Sequence, residues 1–438
     1  MKKVISFLLD ADSLIGRLVC GTLYLLVYDF MYSNYIYALF HYMGVEYIKM
    51  NEIKYLSWLF ISLVPLIFYQ GMKDLTTFFT IFAYLFIYIP FIHAVFVIWG
   101  VDMEIVYGYA LILCFFFSLY FIVGTRGSIF KNMEVRPSLS LRSIEVITLL
   151  VTVIFIVFKA SSMHLVNFFT DVQRLYQLRA ENSEASQSIG FVTYLQGWLF
   201  GAFYPFLLVC YLKQKKKFKS LLILIGYFTL FMADMQKLTF FMPFVLIGLY
   251  FFLNLKYNLV SKRTHSFLIL VIIVTSIIFY NLQDNEILFM IGSIILLRTV
   301  CVSGWLTQMY LHFFIDKPFT HYSHINIVNA ITNEYPFDVP LGQAVAYNTQ
   351  NANANFILTD GLAAWGVGGI IFISIFFLLL LHFIKAITYR YEKTDLFVIC
   401  TPSLSYMLNT SIFTTLLSCG FAFLLIILTS SHTSLSDD

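Results

Sequence analysis

The chain has 438 residues, of which 60% are hydrophobic and only 12% charged, against roughly 45–50% apolar and about 25% charged in soluble domains. Its mean hydropathy is +0.83, which excludes a soluble globular enzyme. A net charge of +3 spread along the chain excludes a nucleic-acid footprint. The expected class is an all-α polytopic integral membrane protein, with one transmembrane domain over 1–438.

From the N-terminus, MKKVISFLLDADSLIGRL carries two lysines and only a short apolar stretch before Asp10 and Asp12. This is unlike a cleavable signal, so the first helix is expected to be retained. Apolar runs able to cross a ~30 Å hydrocarbon core fall at roughly 17–41, 55–70, 76–99, 105–124, 143–160, 190–212, 219–233, 237–255, 266–282, 358–384, 395–410 and 412–430. That gives about twelve crossings. Basic loops at 126–142, 213–219, 256–263 and 385–393 set those segments on the cytoplasmic side, with both termini inside. The six cysteines are widely spaced and read as small buried hydrophobes. The 48 Phe and 29 Tyr are expected to pack against lipid without specific ring roles.

Two segments on the opposite side are large: 161–189, and 283–357 with a helix over about 287–314 expected to lie along the membrane surface. The break NLQDNE (281–286) and the short apolar run after it make 266–282 a crossing and 287–314 an interfacial element. No internal repeat and no paired Gly/Pro-broken helices of the transporter kind are visible.

The positive-inside rule leaves the outer cations unexplained. Arg174 and Arg179 are five apart, so on a helix they sit about 140° apart and could grip one extended anion; a solvated helix paired with Glu181 and Glu184 is the plain alternative. Lys237 lies at an outer hairpin near Asp234, where it either faces a hydrated cavity or snorkels beside that acid. Arg298 interrupts an otherwise apolar run, where a guanidinium requires an anionic partner or water, and its planar fork matches phosphate.

His321 and His324 in THYSH have no matching Cys or carboxylate, so a metal site is not expected, although either could act as a general base. Asp360 opens the 358–384 helix, where a helix dipole favours an acid. The amides at Asn348, Gln350, Asn351, Asn353 and Asn355 exceed what capping requires, and they suit a hydroxyl-rich ligand.

QKLTFFMPF around Lys237, LLRTVCVSGWLTQMYLHFFIDKP over Leu296–Pro318, NANANFILTDGLAAWGVGG over Asn351–Gly369 and NTSIFTTLLSCG over Asn409–Gly420 resemble the O-antigen polymerase family. An Arg, ten residues, Gly spacing from Arg179 to Gly190 resembles a pattern of that family's external loops, and Arg298 has no glycine at that offset. The N-terminal half resembles it only as a string of hydrophobic spans. The resemblance implies a helical fold of the GT-C type in the bacterial inner membrane, with the active site facing the periplasm. It implies a substrate of oligosaccharide repeat units on undecaprenyl pyrophosphate, a metal-independent glycosyl transfer without cofactor, and membrane lipids and a chain-length regulator as partners.

On that basis Arg174, Arg179, Lys237 and Arg298 are assigned to pyrophosphate and Asn351, Asn353 and Asn355 to sugar. Arg298, Asp234, His324 and Asp360 are the catalytic candidates, with His321 a further candidate base. The competing readings are an O-antigen ligase, which shares the layout and differs in acceptor, and a flippase or other transporter of lipid-linked oligosaccharide.

Overall fold

The structure is a computed structural model. It describes residues 13–130, 139–164, 190–281, 296–347, 356–407 and 409–431, with positions 285, 289, 292 and 352 between them. Every element longer than an isolated bridge among these residues is helical. Seven helices are long and apolar enough to cross a membrane: Leu14–Met43, Leu75–Val97, Met103–Thr125, Leu141–Ser162, Phe191–Lys213, Lys237–Leu255 and Leu358–Thr388. The chain is therefore an all-α membrane protein. Shorter apolar helices are Ile272–Asn281 and Phe421–Ser430.

The chain divides into two compact units. The first comprises Met1–Ile129, Asn258–Phe383 and Met407–Ser411, and the second comprises Phe130–Tyr257, Ile384–Tyr406 and Ile412–Asp438.

In the first unit, α1 (Leu14–Met31) starts at Ser13, whose hydroxyl accepts from the Gly16 amide. α2 (Glu52–Leu63) starts at Asn51, which accepts from the Lys54 amide. α3 (Leu75–Ala83) has a reciprocal box between Asp74 and Thr77. These caps answer backbone donors that no helix satisfies internally. α4 (Ile89–Val97) is buried along its whole length, and α5 (Met103–Thr125) completes the N-terminal group.

Widened π-turns interrupt these helices at Tyr32–Ile36 and Tyr84–Tyr88. The second lies just before Pro90, whose ring crowds the preceding turn and which lacks an amide proton. Tyrosines repair such breaks. Tyr84 donates to the Ser62 carbonyl and Tyr88 to that of Ile61, both at 2.7 Å, across the Pro65 turn. Tyr24 donates to Leu85 at 3.4 Å. Where no water reaches, a free carbonyl is costly, so these phenols serve the backbone. They are not among the aromatics that pack against lipid: Tyr24, Tyr84 and Tyr88 are fully or almost fully buried.

The expected surface-lying helix is described from Leu296. A π-turn at Leu297–Cys301 leads into α11 (Val302–Asp316), counting α6 to α10 in the second unit below. Most of α11 is buried, and Gly304 touches α4 so closely that a Cβ there would lie 2.8 Å from the Pro90 carbonyl oxygen. Burial on nearly all sides marks a packed helix and not an amphipathic one with an open face. After it come α12 (Asn326–Thr332) and α13 (Leu341–Val345), so the second large segment carries helices of its own.

α14 (Leu358–Thr388), expected as one span, is broken: Trp365 and Gly366 are non-helical, with Gly366 at φ 57. A Cβ on Gly369 would lie 1.9 Å from the Gly361 carbonyl oxygen, whereas a straight helix would hold these residues about 12 Å apart. The chain doubles back at Gly366. The part after the break is about 33 Å long and still suffices to cross.

In the second unit, α6 (Leu141–Lys159), α7 (Gly190–Trp198), α8 (Tyr204–Lys213) and α9 (Lys217–Asp234) precede α10 (Lys237–Asn281). A π-turn at Leu199–Phe203 comes just before Pro205, and Tyr227 donates to its Phe200 carbonyl at 3.2 Å. α10 is 45 residues long, about 67 Å, and the chain passes from the second unit to the first within it. The loop expected at 256–263 is thus helical: its basic residues include no Gly or Pro, and charge alone does not break a helix. α15 (Lys393–Met407), α16 (Ile412–Leu417) and α17 (Phe421–Ser430) close the chain. The expected 412–430 span is interrupted before Gly420, at φ 82, where Gly197 and Gly201 lie against the Ser418 and Cys419 carbonyls.

Candidate functional site

The short helix before the α14 break ends at Ala363 and Ala364, whose carbonyls lose their helical partners there. The Thr320 amide donates to Ala363 at 2.8 Å and the His321 amide to Ala364 at 3.1 Å. THYSH is thereby strapped over the end of that helix. His321 and Tyr322 hold positive φ of 49° and 63°, a conformation unfavourable for side chains with a Cβ. The strap also bonds to itself, through Ser323 N to Thr320 O at 2.8 Å and Ile325 N to Tyr322 O at 3.0 Å. Tyr322 packs edge-on to Trp365 at 5.0 Å between ring centres.

This strap brings two of the catalytic candidates together. His324 Nε2 lies 2.8 Å from Asp360 Oδ1, and His324 Nδ1 lies 2.7 Å from the Thr320 hydroxyl. The His324 side chain is 10% exposed and that of Asp360 fully buried. Both ring nitrogens of His324 are thus engaged. Asp360 Oδ2 is buried with no hydrogen-bond partner among the described residues. An ionised carboxylate accepts only, so Nε2 carries the proton in this contact and Oδ2 is the acceptor left vacant.

Thr320 adds a further degree of freedom, because its hydroxyl also lies 3.1 Å from the Ala363 carbonyl. It can donate to neutral His324 at Nδ1. When the ring is charged, it can accept from Nδ1–H and donate to Ala363 instead. Both protonation states of the histidine are satisfied without moving a heavy atom.

Tyr310 on α11 ties this pair to the amide-rich stretch. Its hydroxyl donates to the Ala352 carbonyl at 3.2 Å, the Ala352 amide donates to Gly342 at 2.8 Å, and Asp360 acts on Tyr310 electrostatically. Asn351, Asn353 and Asn355 lie outside the described residues, as do Arg174 and Arg179. Thr320, Tyr310 and Tyr322 were not singled out from the sequence. The spacing of Thr320 and His324 within THYSH was the available signal for the first of them.

Four other sequence candidates fall among the described residues. Arg298 sits in the Leu297–Cys301 π-turn of the first unit, whose Val300 carbonyl accepts from the Tyr28 hydroxyl. Asp234 belongs to the second unit, where its carboxylate accepts from Gln196 at 2.7 Å, Thr239 at 2.6 Å and the Gln236 amide at 2.8 Å, with Lys159 as an electrostatic partner. These donors hold the Asp234 carboxylate in place. Lys237 is exposed at the start of α10, and His321 is exposed on the strap. Among the described residues, no three His, Cys, Asp or Glu side chains gather as a metal-binding group.

The chain matches no family model, no curated protein and no solved structure. The reading of this site rests on its own geometry and chemistry.

Proposed function

We propose that the chain polymerises oligosaccharide repeat units carried on undecaprenyl pyrophosphate, at the outer face of a bacterial inner membrane. The observation that carries this reading is the Asp360–His324 contact of 2.8 Å, set beside the anchored Ala352 of the amide-rich stretch. Glycan transfer to a sugar hydroxyl requires a proton acceptor.

In the proposed step, the acceptor sugar's hydroxyl oxygen attacks the anomeric carbon of the donor glycan. The bond from that carbon to the pyrophosphate oxygen breaks, and the lipid pyrophosphate leaves with the electron pair. The hydroxyl proton passes to the Asp360–His324 pair, in which His324 holds Asp360 Oδ1 in place. Negative charge grows on the departing oxygen, and guanidinium or ammonium groups in a partly dry site stabilise it. Arg298, in the same unit as Asp360, is assigned to that role. The three asparagines at 351, 353 and 355 are assigned to the sugar hydroxyls.

The test is incubation of the purified protein with a defined lipid-pyrophosphate oligosaccharide. Longer lipid-linked products are expected, and Arg298→Ala should abolish them at unchanged protein level in the membrane. Failure of the wild-type chain to lengthen any such substrate sinks the proposal.

A further inference from the structure

A second histidine–carboxylate pair lies in the first unit, away from the mechanism above. Asp29, late in α1, contacts His93 Nε2 of α4 at 2.9 Å. The His93 side chain is fully buried and that of Asp29 is 15% exposed. His93 is boxed by Tyr28, Tyr32 and Trp58, with ring centres 5.0, 4.5 and 5.4 Å away. Its Nδ1 is buried without a hydrogen-bond partner among the described residues.

Both residues lie inside candidate membrane spans, where an ionisable group is costly. The orphaned Nδ1 adds a further desolvation cost. A well-packed apolar pair of similar volume is often at least as stable as a buried polar pair, so packing alone gives no reason for this one. What the arrangement does is hold one oxygen of Asp29 rigidly while the side chain keeps its opening.

The surroundings of that opening indicate a ligand class. Tyr47 interacts through its hydroxyl with both Asp29 and Ser33, and burial together with the Asp29 charge pushes its phenol up to about 12, so it stays a donor at neutral pH. Its ring lies 6.0 Å from that of Tyr37, which is exposed. Ser33 and Asn34 are joined at 2.9 Å on the same edge. A carboxylate that accepts several hydrogen bonds, next to hydroxyl and amide groups and flat rings, matches a pyranose, which has a hydroxyl rim and an apolar C–H face.

The loop bearing Tyr47 is clamped to α11. Glu46 pairs with His312 at 2.9 Å, and its amide donates to Gln308 at 3.3 Å. Gln308 and His312 share one face of α11, and Tyr310, the anchor of the first site, points to the other. The two sites therefore flank one helix about 10 Å across.

We infer that Asp29, His93 and Tyr47 form a second saccharide-binding site, which holds one of the two glycans that a polymerase must engage at once. This rests on the polymerase reading for the identity of the sugar, but not for the existence of binding.

The test uses the full chain in lipid nanodiscs and, as probe, repeat-unit oligosaccharide released from its carrier by mild acid, free of lipid and pyrophosphate. Binding is followed by equilibrium dialysis. Wild type should bind saturably, Asp29→Asn should bind about tenfold more weakly or worse, and Tyr47→Phe should weaken binding while keeping the ring. Leu56→Ala, exposed on the neighbouring α2, should match wild type. Equal binding by Asp29→Asn and Tyr47→Phe overturns the site, as does no binding by wild type, or displacement of the sugar by tetramethylammonium at a similar concentration. Elongation measured in parallel separates the readings: sugar binding that needs Asp29 in a chain that never elongates leaves this site standing and removes the polymerase.

Discussion

The Tyr88 hydroxyl donates at 2.7 Å to the carbonyl of Ile61, the carbonyl one helical turn before Pro65, which has no amide proton to offer it. The bond is local in purpose and long in sequence. Its loss leaves a buried acceptor unsatisfied, which costs about 1–3 kcal/mol. Tyr88→Phe should lower the thermal unfolding midpoint in detergent, whereas Tyr42→Phe, at a position 75% exposed, should leave it unchanged. Equal midpoints for both variants would reject the view that these phenols repair proline breaks.

The reversal at Gly366 makes an equally local prediction. A Cβ on Gly369 would stand 1.9 Å from the Gly361 carbonyl oxygen, while one on Gly368 would meet its nearest neighbour at 3.9 Å. Gly369→Ala must therefore separate two backbones, which neither can do by rotating a side chain. Folded, monodisperse protein should be lost in Gly369→Ala and retained in Gly368→Ala, as read by size-exclusion chromatography. Comparable yields would show that the chain does not double back here.

Hydropathy made the helical class and most of the helix positions legible, because runs such as 105–124 and 143–160 are long and uninterrupted. Breaks inside the expected spans were not read from the sequence, although prolines accompany two of them. Pro90 and Pro205 mark their π-turns, but the α14 reversal depends on two glycines touching across a turn, a tertiary fact without a local signature. The same limit worked in reverse at 256–263, where charge suggested a loop and a stretch without Gly or Pro stayed helical. At the candidate site, His324 was legible as a histidine of the THYSH loop and Asp360 as an acid opening a helix, but their contact was not. Asp29 and His93 lie within the runs 17–41 and 76–99, but nothing in the sequence pairs them.

The clamp between Glu46 and His312 should depend on pH. Burial pushes the Glu46 carboxyl up, but His312 and the Trp99 amide outweigh it and hold the group below its ordinary value of 4.5. Glu46 in turn raises His312 above its ordinary 6.5 against the effect of burial. A lowered acid stabilises above its unfolded pKa and stops doing so as pH falls through its folded one. A raised histidine stabilises below its unfolded pKa and stops as pH climbs through its folded one. The pair is therefore fully effective between about pH 4.5 and 6.5, and with both side chains about one-third exposed it contributes at most about 1 kcal/mol. The difference in unfolding midpoint between wild type and His312→Gln should be largest in that window and shrink on either side. A difference that grows steadily above pH 8 would contradict the assignment.

Thr320 offers the sharpest test of how the proposed base is held. Its hydroxyl reaches both His324 Nδ1 at 2.7 Å and the Ala363 carbonyl at 3.1 Å, so it can serve the histidine as donor or as acceptor. Valine has nearly the same shape and can do neither, leaving Nδ1 unpartnered in either charge state. Serine keeps the hydroxyl and loses only a methyl group. If His324 orients Asp360, elongation should fall about tenfold in Thr320→Val and stay within about twofold of wild type in Thr320→Ser. Asp360→Asn, which cannot accept the proton, should lose about 10²–10⁴ in rate with the substrate still bound. A His324→Gln chain should lie between them, because it retains a donor near Oδ1 but cannot adjust to a proton. Should Thr320→Val match wild type while Asp360→Asn is inactive, the carboxylate acts without the histidine's help, and the strap is scaffolding for the short helix alone.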